Sequence, residues 1–119
     1  MADIFTSAGE ALAADILDGT TAAPTWRVGW GTGAGTAAKG DTALSTEASE
    51  ARVNATMSQP AANQNRFVAQ IVANGTKTIT NAGVLSAASG GTLLLHSDFA
   101  GVPLLLNDAI TFTFTVTWA

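Results

Sequence analysis

The chain has no cysteine, which excludes disulfides, thiolate metal sites and thiol nucleophiles together. Charge is scarce as well. Charged residues make up 12% of the 119, about half the usual share, so surface polarity falls to Thr, Ser, Asn and Gln. The five basic residues, Arg27, Lys39, Arg52, Arg66 and Lys77, are scattered, and the net charge is -4. No patch is left that can neutralise a run of phosphates, which argues against a nucleic-acid partner. No apolar run approaches the ~20 residues of a membrane span, so no membrane partner is expected. The segment from Met1 to Gly19 carries Asp3, Glu10, Asp15 and Asp18 without a basic residue, which is not the pattern of a secretory signal.

What is present is apolar (47% of residues) and strongly patterned. One domain over residues 1–119 is expected, large enough to bury a real core. Ala8, Leu12 and Ile16 recur at four-residue spacing with Phe5 on the same face. They predict a helix between Asp3 and Leu17, with Ser7 and Glu10 as a capping box and Asp18-Gly19 as its stop. Residues 1–19 thus read as a short helical arm, which needs a surface to dock on because an isolated helix of this length is marginal.

From Thr25 the period becomes two. Trp26, Val28 and Trp30 share a face; residues 31–51, rich in Gly, Ala and Thr, read as a long surface excursion; Val53, Ala55 and Met57 alternate up to Gln59-Pro60. Arg66 to Ala73 reads as a strand, and Asn74-Gly75 predicts a hairpin into Thr76–Thr80. A second hairpin is expected between Ala82–Ala87 and Thr92–Phe99. The clearest strand is the last, where Ile110, Phe112, Phe114, Val116 and Trp118 oppose Thr111, Thr113, Thr115 and Thr117. About seven or eight short strands over residues 25–119, with no helical pattern between them, predict an all-β antiparallel sandwich, jelly-roll-like, with a short N-terminal helix.

Chemistry is thin. His96, the sole histidine, shares a predicted strand face with Leu94 and Asp98, but acyl-transfer chemistry also needs a nucleophile and an oxyanion site that the pattern does not supply; a surface or interface pair is expected instead. The run Gly29, Gly31, Gly33, Gly35 meets neither the dinucleotide nor the Walker spacing. Asp41, Glu47 and Glu50 lack calcium-loop spacing and read as solvated charges, with a local Glu50–Arg52 ion pair conceivable. Trp26 and Trp30 would suit carbohydrate stacking if exposed, although their alternation with Val28 favours the core. No catalytic, cofactor or metal residue is therefore assigned, and the chain is not expected to be an enzyme.

The order of motifs carries a resemblance. Trp30-Gly31-Thr32-Gly33, then Gly40-Asp41-Thr42-Ala43-Leu44 with Thr46-Glu47 and Glu50-Ala51-Arg52-Val53, then Ile79-Thr80-Asn81-Ala82-Gly83-Val84-Leu85, Gly91-Thr92-Leu93-Leu94, Phe99 and Asn107-Asp108 resemble small tailed-bacteriophage structural proteins, the capsid decoration (cement) and tail-fibre-like group. Asn107 stands where that pattern usually has Gly, and Asn81 where it often has an acidic residue. The resemblance implies a non-enzymatic virion protein on the capsid surface, made in the bacterial cytoplasm, a dimer or trimer that binds the major capsid protein; the alternative is a tail or fibre component. Partner contacts are then expected from the arm (Ile4, Phe5, Leu12, Ile16) and the excursion (Thr32, Thr36, Lys39, Asp41, Leu44).

Overall fold

The computed structural model describes residues 2–118; the end residues Met1 and Ala119 of the expected domain lie outside them. The chain opens with a strand where the helix was expected to begin. Strand β1 (Ala2–Phe5) is followed directly by helix α1 (Ser7–Leu17). The cap is Thr6 and not Ser7: its hydroxyl accepts from the Gly9 N–H at 2.9 Å and donates to the Leu93 carbonyl at 2.5 Å. A capping residue must hold extended backbone while its oxygen meets an orphan N–H of the first turn, and Thr6, at the end of a strand, already has that conformation.

Seven more strands follow: β2 (Arg27–Gly31), β3 (Val53–Asn54), β4 (Thr56–Ser58), β5 (Gln64–Val72), β6 (Lys77–Leu85), β7 (Leu93–Leu104) and β8 (Ala109–Thr117). They form a five-stranded sheet in the order β1-β7-β6-β2-β3 and a three-stranded sheet in the order β4-β5-β8, with antiparallel pairing throughout. The all-β sandwich with one short helix is thus the observed fold. Between the sheets lie Val28, Trp30, Ala82, Val84 and Leu95 from one side and Phe67, Ala69, Ile71, Phe114 and Val116 from the other. Strand β8 matches its expected polarity, with Ile110 and Phe112 packed on this core and the four threonines exposed.

Three expectations from local pattern are corrected. Asn74-Gly75 does not close a hairpin, because β5 and β6 belong to different sheets. Positive φ occurs at Gly19, Gly35, Gly90 and Gly91 but not at Gly75; the segment crosses from one sheet to the other, tied by Asn107 N–H to the Ala73 carbonyl (2.9 Å) and Ala73 N–H to the Asp108 carbonyl (2.7 Å). The alternation from Val53 to Ser58 is likewise split, since β3 joins the larger sheet and β4 the smaller. The hairpin β6–β7 is present, turning at Gly90 and Gly91 with φ of 61° and 72°, and its first arm runs unbroken from Lys77 to Leu85.

The third correction concerns parity. Leu85 pairs with Leu93 and Val84 with Leu95, so Leu94 is an extra residue. A bulge of this kind moves the following side chains to the other face. Leu94 joins the core between the sheets, whereas His96 points to the opposite, outer face, 2% exposed. It does not sit with Asp98 at the surface. Its Nδ1 donates to Asp41 Oδ2 at 2.7 Å, and its Nε2 lies 3.1 Å from Asn81 Oδ1.

Candidate functional site

At one end of the sandwich, α1 folds across the gap between the sheets and leaves an open apolar groove of about 450 Å³. Each wall has a local cause. Phe5 ends β1; Ala13, Ile16 and Leu17 lie on the last turns of α1; Trp26 precedes β2; Met57 sits on the short edge strand β4; Phe67 and Val116 come from the paired strands β5 and β8, where they stand diagonally, Phe67 opposite Phe114 and Val116 opposite Asn65. Trp118 closes the groove just past the end of β8, its ring 5.8 Å from Phe5 in an edge-to-face contact. Trp26 meets Phe67 in the same manner at 5.9 Å. The polar lining residue is Asn65, whose Oδ1 accepts from the Trp118 indole N–H at 2.7 Å and so fixes that ring.

Among the described residues no charged side chain lines the groove, and its rim is apolar: Leu17 is 83% exposed, Trp118 46% and Met57 42%. A pocket with rigid aromatic walls and one satisfied amide offers burial and little else, so it suits an apolar side chain or short apolar segment. Clustered exposed hydrophobes mark interaction sites on soluble proteins.

Of the expected contact residues, the structure brings Phe5 and Ile16 into this groove. Ile4 and Leu12 are half-buried outside it. The excursion residues lie elsewhere, because residues 31–51 do not form a free loop. Residues 41–45 lie on the outer face of the five-stranded sheet, where Gly31 permits the approach: a Cβ there would stand 2.3 Å from the Ser45 carbonyl oxygen. Thr32 N–H donates to the Thr46 carbonyl and Gly33 N–H to the Ser45 carbonyl, both at 2.9 Å. Asn81, the residue that departs from the acidic pattern, accepts from Ser45 N–H and donates to the Ser45 carbonyl, each at 3.0 Å, as a neighbouring strand would.

Two excursion contacts are corrected by this packing. Leu44 is 7% exposed and clusters with Leu85 and Leu93, so its side chain is consumed inside the fold. Asp41 is held by His96 and by the Ala38 N–H (2.7 Å); that backbone bond, against some burial, and the His96 contact keep its carboxyl below the usual range. Lys39 is exposed but spans to the arm, donating to the Phe5 carbonyl at 3.1 Å and pairing with Glu10. Thr32 and Thr36 are exposed.

The acidic residues are also spoken for. Glu50 does not pair with Arg52. Arg52 forms a two-point ion pair with Glu47, at 2.7 and 2.8 Å, while Glu50 is buried beneath the crossover. Its carboxylate accepts from the Trp30 indole N–H and the Asn74 N–H, both at 2.9 Å, and from Lys77. Burial alone would raise its pKa, but these donors outweigh it and hold the group down at about 2. Trp30 is thereby sealed in the core and offers no stacking face. Among the described residues no three His, Asp or Glu side chains are grouped to hold a metal.

The ten other groove residues, from Ala13 to Trp118, were not among the expected contacts. Trp118 was expected on the inward face of the last strand; the strand ends at Thr117 and Trp118 lies beyond it, partly exposed. The chain matches no protein-family model, no curated protein and no solved structure.

Proposed function

We propose that this chain is a non-enzymatic virion structural protein of the capsid decoration type, and that the groove beside α1 receives an apolar segment of the major capsid protein. The observation that carries this reading is the uncharged, aromatic-walled groove with Leu17 and Trp118 exposed at its rim. Leaving such a surface in water is unfavourable by ~25 cal/mol per Å², so a protein that presents it gains by covering it. The motif order from Trp30 to Asp108 that resembles phage decoration and tail-fibre-like proteins supplies the kind of partner. In a lattice, modest single-site affinity is multiplied when linked copies engage together. The reading requires no cofactor, metal, nucleic acid or membrane.

The test is binding of the purified protein to expanded empty capsids of its own phage. Wild-type protein is expected to saturate at a stoichiometry set by the capsid lattice, and Leu17→Asp, at an exposed position, to weaken binding at least about tenfold by placing a charge at the groove mouth. Failure of the wild-type protein to bind, or equal binding by Leu17→Asp, would overturn the proposal; a copy number in the particle that matches the tail would reassign the protein there.

A further inference from the structure

Strand β8 has β5 on one side through nine uninterrupted pairs, from Ala109↔Val72 to Thr117↔Gln64. Its other side pairs with nothing among the described residues. Unpaired strand edges template the addition of another strand, and soluble proteins blunt them with short length, charge, proline or bulges. The other edges here follow that rule: β1 has four residues, β3 two, and β4 three before Gln59-Pro60. The part of β7 that runs beyond β1 contains Gly101 and Pro103. By contrast, Ala109–Thr117 is nine residues long, uncharged, and free of Gly, Pro and any register shift. Beside it an apolar slot of about 420 Å³ opens between the sheets, walled by Phe99 and Val102 of β7 and by Ile110 and Phe112 of β8.

We infer that this edge is closed by the β8 strand of a second copy of the chain, antiparallel across a two-fold axis at Thr113. The occupant follows from the strand's own sequence, whose polarity from Ile110 to Val116 reads the same in both directions about Thr113. In that register Thr111 faces the partner copy's Thr115, Phe112 faces Phe114, and Ile110 faces Val116. Threonine meets threonine on the outer face, and apolar meets apolar on the inner face. A two-fold contact requires such self-complementarity, and cross-strand pairs of these types are favourable. The added strand extends the three-stranded sheet to six and carries its inward Phe and Ile side chains over the slot. With no charge on either strand, the pairing sets no like charges opposite each other along the seam. The inference is independent of what the groove binds.

Sedimentation equilibrium of the full chain tests it. The wild-type protein is expected as a dimer, twice 12.0 kDa, at concentrations on the order of 10 µM. Thr113 is exposed, so Thr113→Lys leaves the monomer's packing alone while setting two lysines against each other; it should raise the dissociation constant more than about tenfold. The register is read by two double variants. T111K/T115E places opposite charges across the axis and should dimerise, whereas T111K/T115K should not. A monomeric wild type, or an assembly that both Thr113→Lys and T111K/T115K leave intact, overturns the inference. Capsid binding by the groove variant is a separate measurement, so either proposal can fail alone.

Discussion

Replacing Glu50 by Gln keeps the size of the side chain but turns one acceptor oxygen into an amide NH2, which in either orientation faces a donor, the Asn74 N–H and Lys77 ammonium or the Trp30 indole N–H. Donors then meet a donor in a buried site, and one charge is left unpaired, which should lower the unfolding free energy by about 2–3 kcal/mol in urea titrations. The acid limb of stability should change with it. Glu50 has its carboxyl at about 2 in the folded chain against an ordinary 4.5. A group depressed on folding stabilises fully above its unfolded value, and that contribution disappears as pH falls through the folded one. Wild-type stability should therefore decline between pH 4.5 and about 2, with Asp41, also held low, adding to the decline. Glu50→Gln should show a shallower slope over the same range.

Helix α1 depends on its cap and its docking more than on its own propensity, since eleven residues are too few to be stable alone. Thr6→Val preserves the buried volume and removes both hydroxyl bonds. We expect a loss of about 1–2 kcal/mol, and hydrogen exchange of the α1 amides accelerated relative to those of β5. Elements were legible where local pattern and tertiary demand agree. β8 and β5 were readable because their two-residue period runs through an unbroken ladder, and the β6–β7 hairpin because Gly90 and Gly91 take the conformation that its turn requires. Legibility ended where tertiary structure overrode a local signal. Asn74-Gly75 carries the turn chemistry of a hairpin, but the strands on either side are claimed by different sheets. One bulged residue, Leu94, separated His96 from the face the two were expected to share. The excursion gave no periodic signal because its contacts with the sheet run through backbone groups and single side chains such as Asn81.

The whole molecule measures 43 × 26 × 25 Å, with the groove at one end of the sandwich and the open β8 edge along a side. Of the groove, only Phe5 and Ile16 could be anticipated, because helical spacing marks an apolar face but not what it will face. Its other walls come from six separated stretches of chain, and no local window contains that information. The three tryptophans are divided by the same architecture: Trp30 is sealed inside against Glu50, while Trp26 and Trp118 line the groove. Intrinsic emission thus combines a fixed background with a component that senses what enters the groove. Occupation by an apolar segment should shift the emission to shorter wavelength, and Trp118→Phe should shrink that response in a titration while the signal of Trp30 stays constant. The protein carries its own optical probe for the contact on which its proposed role depends.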